Sequence, residues 1–279
     1  MLRIITDTGA DIPCLNGDAL GLEVVEIGIQ FEEFPYDQQA DTDFQIFYEN
    51  LTRSKKLPST SQVTPGQYLD LFEDAKAKGD AVLVVTISGG LSGTYQSAVM
   101  AKEMSGYEAI RIVDSHQCCL TQRMLAEHAV QLRSEGQDLD SIAAALEALR
   151  DQLVLIVVLD TLKYLKKGGR VPPAMAMIGE LLGMKPVVTV RAGKVEPLTK
   201  ARGLDAAKRA LWAQFEADGH DTAFPIYFGY SQNAARGEAF LQETKEKYGL
   251  TDCPLAPVGG VIGTHGGPGG IAIGYKKNA

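Results

Sequence analysis

One run of residues limits the possible folds more than any other. Ala81–Ile87 (Ala-Val-Leu-Val-Val-Thr-Ile) is apolar and mostly β-branched, without polar alternation. A strand that offers no wet face must be covered on both sides, as in a parallel sheet flanked by helices. Its surroundings repeat the theme. Residues 2–6, 24–29, 109–113 and 154–159 read as further strands. Helical segments separate them. Thr64-Pro65-Gly66-Gln67 fits a capping box with proline at the first helical position, opening a helix to about Lys78 that Gly79 ends. Thr42-Asp43-Phe44-Gln45 fits the same box and opens a helix to about Ser54. Others are expected from Thr94 and over residues 118–134. Ile142, Leu146, Leu149 and Leu153 recur at helical spacing. Strands alternating with helices predict parallel βαβ units.

The second half reads differently. A helix over residues 162–167 stops at Gly168-Gly169, and an apolar, Met-rich helix is expected over residues 174–182. Residues 185–190 and 194–197, joined by Arg191-Ala192-Gly193, predict a β-hairpin. Helices over residues 204–217 and 234–248 flank a strand at 223–230, and residues 259–275 read as short strands broken by glycines. The expectation is an α/β protein in two domains. Residues 1–157 form an N-terminal domain with a mainly parallel sheet flanked by helices. Residues 158–279 form a lid-like α/β domain with a mixed sheet.

Charge and composition exclude several functions. With 27 basic and 35 acidic residues the net charge is −8, opposite to the basic excess expected of a nucleic-acid binder or a polybasic membrane anchor. Hydrophobic residues at 45% and charged residues at 22% suit a globular chain rather than a disordered one. No stretch approaches the ~20 apolar residues of a membrane span, and the first residues read as a strand rather than a signal segment. A cytoplasmic location is expected, with Cys14, Cys118, Cys119 and Cys253 reduced. The four histidines show no metal-ligand spacing, so no metal site is predicted.

Familiar nucleotide and hydrolase motifs fail on inspection. Gly193-Lys194 is followed by Val195, which breaks a P-loop. Gly267-Pro268-Gly269-Gly270-Ile271-Ala272 matches a dinucleotide fingerprint in letters, but too few residues follow to build its helix. Gly90-Leu91-Ser92-Gly93 is one residue short of a nucleophile elbow.

Four segments remain as candidates for a site. Ser88-Gly89-Gly90-Leu91-Ser92-Gly93-Thr94 joins the buried strand to a helix. It places Ser92, Gly93 and Thr94 at a helix N-terminus, where peptide dipoles favour a negative group, unless the hydroxyls merely cap the helix. Pro58-Ser59-Thr60-Ser61-Gln62 offers Thr60 and Ser61 to a carboxylate, or is a solvated loop. Gly263–Gly269 sets His265 and Gly266 among glycines, which let backbone approach a ligand closely. Lys163–Arg170 carries cations at a helix end, either complementing its dipole or offering Arg170 to an anion.

Taken in order, these segments resemble the DegV family of bacterial lipid-binding proteins. The resemblance rests on Ile5-Thr6-Asp7-Thr8-Gly9-Ala10-Asp11, Thr60–Gly66, Leu91–Ala98, Asp114-Ser115, Leu162–Arg170 and His265-Gly266-Gly267-Pro268-Gly269, and so spans nearly the whole chain. It implies a two-domain carrier holding one long-chain fatty acid between its domains, with no catalytic residue and no cofactor of its own. It further implies that a separate ATP-binding fatty acid kinase subunit phosphorylates the bound carboxylate, giving an acyl phosphate for phospholipid synthesis. Thr60, Ser92 and His265 would surround the carboxyl head, with Ser61, Gly93, Thr94 and Gly266 as further ligand-binding residues, and Arg170 would sit near the entrance and help with the phosphoryl group or the partner. One departure is Gly89, where a second serine is expected in many relatives and where a head-group hydroxyl would be lost.

The physical reading of these residues agrees. Hydroxyls and an imidazole can hold a carboxylate in a low dielectric. About 14 buried methylenes contribute roughly 11 kcal/mol gross, at ~0.8 kcal/mol each. A monomer without membrane anchoring is expected. The alternatives are a stand-alone serine-dependent acyl or phosphoryl ester hydrolase built on Ser92 and His265, and a carrier of another amphipathic lipid.

Overall fold

A computed structural model describes residues 1–171 and 183–278. The helix expected over residues 174–182 lies outside the described residues. The first half runs β1 (Leu2–Asp7), β2 (Glu23–Val25), β3 (Gly28–Gln30), α1 (Gln45–Arg53), β4 (Ser59–Ser61) and α2 (Pro65–Lys78). It continues through β5 (Ala81–Thr86), α3 (Thr94–Ser105), β6 (Ile110–Asp114), α4 (Cys119–Ser134) and α5 (Leu139–Arg150). Four strands form a sheet in the order β2-β1-β5-β6, every pair parallel. Val82, Leu83, Val84 and Val85 are completely buried at its centre, as their unbroken apolar run requires.

The box before α2 forms with both of its arms, and Gly79 closes the helix in the left-handed region at φ 71°. The box expected before α1 does not form. Phe44 takes the left-handed cap position, and the buried Asp41 carboxylate instead accepts the amides of Ile46 at 3.2 Å and Phe47 at 2.7 Å. A carboxylate that accepts two free amides is a stronger cap than one hydroxyl. The strand expected over residues 24–29 is split. β2 joins the parallel sheet, whereas β3 pairs antiparallel with β4, setting Ile29 opposite Thr60. The expected helical role of Leu153 fails as well. α5 ends at Arg150, a tight turn follows with the Gln152 amide on Leu149 O, and Leu153 opens a strand.

The second half runs β7 (Leu153–Val158), α6 (Lys163–Lys167), β8 (Met184–Arg191), β9 (Lys194–Arg202), α7 (Leu204–Asp218) and β10 (Tyr227–Tyr230). It closes with α8 (Ala234–Tyr248), β11 (Leu255–Pro257), α9 (Gly260–Gly266) and β12 (Ile271–Lys276). Six strands form a mixed sheet in the order β11-β10-β12-β7-β8-β9, in which only β10 and β11 pair in parallel. β7 lies between β12 and β8, so this sheet begins at Leu153, ahead of residue 158. The glycine-broken strands expected over residues 259–275 are replaced by α9 followed by β12. α9 is built from poor helix formers and owes its form to packing. A Cβ at Gly260 or Gly263 would come within 2.8 Å of Phe47 or 2.7 Å of Tyr48.

Strand alternation decides where the cavity lies. Ile156 and Val158 of β7 join Leu211, Phe215, Phe228 and Phe240 in the core under α7 and α8. Leu155 and Val157 point the other way, into a cavity facing the parallel sheet.

Candidate functional site

The cavity has a volume of about 440 Å³. One side is the C-terminal edge of the parallel sheet, through Ile87, Cys118 and Cys119; the other is the face of the six-stranded sheet, through Leu155, Val157 and Val188. Ligand sites in open α/β sheets form at this edge. The wall is mostly apolar with a few polar side chains, the usual make-up of a small-molecule site.

The structure brings together most of the residues expected at the head group. Thr60, Ser61, Ser92, Gly93, Arg170, His265 and Gly266 all line the cavity. Thr60 sits in β4 with Oγ1 3.1 Å from His265 Nε2, a contact joining residues 205 positions apart. Ser61 follows on the exposed rim. Ser92 Oγ lies 2.9 Å from Thr94 Oγ1 and accepts the Thr94 amide at 3.3 Å. Thr94 does not line the cavity. It is fully buried behind Ser92, and its Oγ1 accepts the Val63 amide at 3.3 Å. Its place is therefore to hold Ser92 and the start of α2. Arg170 is exposed; its Nε donates to Leu91 O at 3.2 Å and Nη1 to Gly168 O at 2.7 Å, tying the end of α6 to the hydroxyl loop.

His265 is the most tightly constrained of these groups. It lies in the last turn of α9 rather than in a loop. Burial lowers its pKa to about 4, helped by the charge of Arg170, so the ring is neutral at pH 7. Nδ1 is buried without a hydrogen-bond partner among the described residues. It faces Gly168, where a Cβ would come within 2.1 Å. Gly168 has an ordinary helical backbone, whereas Gly169 takes φ 70° and meets nothing within 4 Å. The two glycines read together as a helix stop thus do different things. Only Gly169 turns the chain, and Gly168 makes room for the imidazole.

Further details of the cavity wall concern Gly89, Gln62 and Ser231. Position 89 does not line the cavity: the Gly89 amide donates to the Asp114 carboxylate at 3.1 and 3.2 Å, and a Cβ there would press on that carboxylate at 2.9 Å. The departure at Gly89 therefore leaves the cavity wall intact. Gln62, the last residue of the Pro58–Gln62 segment, lines the cavity as well and donates to Ser97 Oγ at 2.8 Å. The Gln62 amide packs against Gly93, where a Cβ would stand 2.0 Å from Oε1 and push that exposed side chain aside. Ser231, directly after β10, lines the cavity too, and its Oγ accepts the Gly270 amide. Nothing in the letters marks it.

Comparison with known proteins follows the same lines. The model of the DegV family, described as uncharacterised proteins, matches residues 1–278. The chain belongs to the DegV family. A DegV domain-containing protein of Clostridium perfringens is 31% identical over 278 residues, covering 97% of this chain and 95% of that protein. A solved DegV family protein from Thermus thermophilus, described as fatty-acid-binding, superposes with a TM-score of 0.87 at 30% identity, covering 99% of both chains. The B3 protein of the Streptococcus pneumoniae fatty acid kinase, solved with linoleic acid, shares the fold with a TM-score of 0.84 at 24% identity and full coverage of both chains. Among the described residues, no helix is long and apolar enough to cross a membrane.

Proposed function

We propose that this DegV protein binds one long-chain fatty acid in the cavity and presents its carboxylate to a separate ATP-dependent kinase subunit. The observation that carries the reading is an apolar cavity whose wall also holds the neutral donors Thr60, Ser92 and His265 and the cation Arg170. A carboxylate would take hydrogen bonds from the hydroxyls and the imidazole, strengthened by the low dielectric. The apolar wall would supply most of the affinity through the chain. The Thermus relative, described as fatty-acid-binding, supports the ligand class. The pneumococcal protein of the same fold, described as part of a fatty acid kinase, motivates the partner. Ser61 and Gly266 complete the rim and wall, and the protein acts as a cytoplasmic monomer with no cofactor of its own.

The hydrolase reading has weaker support. The Ser92 hydroxyl is paired with Thr94 and His265 with Thr60, so nucleophile and base are not joined. The test is phosphoryl transfer. Protein loaded with palmitate is incubated with ATP and a bacterial ATP-binding fatty acid kinase subunit, and acyl phosphate is trapped with hydroxylamine. Palmitoyl hydroxamate formed only with both proteins present supports the proposal. Palmitate uptake without any hydroxamate would leave a carrier and overturn the kinase step.

A further inference from the structure

The hydroxyl loop and the His265 helix come from different sheets. The loop follows β5 of the parallel sheet, and α9 precedes β12 of the mixed one. The end of β1 and the short turn that follows it reach both. Asp7 is fully buried: its Oδ2 accepts the Ile87 amide at 2.8 Å, and its Oδ1 accepts the Gly9 amide at 2.9 Å and Gln122 Nε2 at 3.0 Å. Ile87 leads directly into the Ser88–Gly93 loop and lines the cavity. Asp11, only 2% exposed, holds a left-handed backbone at φ 56°. Its Oδ1 accepts the Gly259 amide at 2.8 Å across 248 residues. Gly259 is the N-cap of α9.

Both carboxyls stand where burial works against them, which raises Asp7 to about 6 and Asp11 to about 7. Left-handed backbone at a non-glycine residue adds a further cost at Asp11. Carboxylate oxygens make strong acceptors for backbone amides. We propose that Asp7 and Asp11 are positioning residues for the head-group site, Asp7 setting the hydroxyl loop and Asp11 setting the His265 helix from a single turn. The inference rests on the fatty-acid reading of the cavity. Neither residue lines that cavity, so each acts through the segment it holds.

The experiment compares palmitate with hexadecanol, which has the same chain and no carboxylate. Affinities of both are measured for the parent protein, Asp11→Ala, Asp11→Asn and Asp7→Asn, together with ¹⁵N resonances of the His265 ring. Asp11→Ala is expected to bind palmitate about tenfold more weakly, the scale of one lost hydrogen bond, and hexadecanol as the parent does. Asp11→Asn keeps an acceptor for the Gly259 amide and is expected to stay near the parent for both ligands. Both Asp7 oxygens accept N–H groups, so Asp7→Asn turns a donor against one of them and is expected to weaken palmitate but not hexadecanol, and parent-like palmitate binding overturns the Asp7 role. Equal loss of both ligands in Asp11→Ala, or no loss of either, overturns the positioning role. If Asp11→Ala does not fold, Asp11→Gly decides, because glycine adopts the left-handed backbone freely while removing the acceptor. A selective loss of palmitate with shifted His265 ring resonances upholds the role, and parent-like palmitate binding and resonances contradict it. A parent protein that binds neither ligand would instead refute the fatty-acid reading.

Discussion

Gly168 provides a sharp test because its neighbour is a built-in control. A methyl group at position 168 would stand 2.1 Å from His265 Nδ1 and 2.9 Å from Cε1, separations no relaxed structure tolerates. The backbone at Gly168 is helical and accepts alanine without strain, so the imidazole must yield. Displacing it breaks the 3.1 Å contact with Thr60 and leaves buried polar groups unpaired. Such a loss costs ~1–3 kcal/mol, or roughly 5- to 150-fold in affinity. Gly169→Ala meets no neighbour but forces alanine to φ 70°. It should cost ~1–2 kcal/mol of stability and leave the site alone. Displacement of a fluorescent fatty acid by palmitate measures binding, and thermal melting measures stability. Gly168→Ala should lose affinity, and Gly169→Ala should lose melting temperature only. Parent-like binding by Gly168→Ala, or equal loss in both variants, refutes the claim that this glycine exists to seat His265.

Other outcomes follow from the same geometry. Ser92→Ala and His265→Ala should each reduce phosphorylation of bound fatty acid in the reconstituted kinase assay, and unchanged transfer by both would remove them from the head-group site. Val157→Phe projects a ring into the cavity and should lower palmitate affinity about tenfold or more, because Val157 lines the space the proposed chain would fill; undiminished binding would place the ligand elsewhere. Burial raises Asp11 from 3.8 to about 7, so its stabilising contribution is complete below pH ~3.8 and is lost as pH rises through 7. His265 runs the opposite way: lowered to about 4, it contributes fully above pH ~6.5 and loses that contribution as pH falls toward 4. Denaturant unfolding of Asp11→Asn should therefore show stability relative to the parent improving from pH 4 to pH 8, by up to ~4 kcal/mol. A difference that stays flat across this range would contradict a buried, titrating Asp11.

What the sequence made legible depended on how local the cause was. The α2 capping box, the Gly79 stop and the buried β5 run are each decided within a few residues, and each forms as read. Where a distant partner decided, the reading went astray. Asp41 outbids Thr42 at α1 because it is buried beside the amides it accepts. The glycines of 259–266 look like loop breakers, yet they form a helix because Phe47 and Tyr48 pack where side chains would be. Leu149 and Leu153 keep helical spacing across a turn that no periodicity reports. At the site, hydroxyls, histidine and arginine were visible as residue types in glycine-rich or capped contexts. The apolar wall was not, because Leu153–Val158 is apolar on both faces and its letters do not say which face meets empty space.

The most direct test of the account is to ask what the protein carries. Native protein is purified, extracted with organic solvent, and the extract is identified and quantified by mass spectrometry. The account predicts about one long-chain fatty acid per chain, lost in Val157→Phe. An empty extract, with no uptake of added palmitate or oleate, would contradict it.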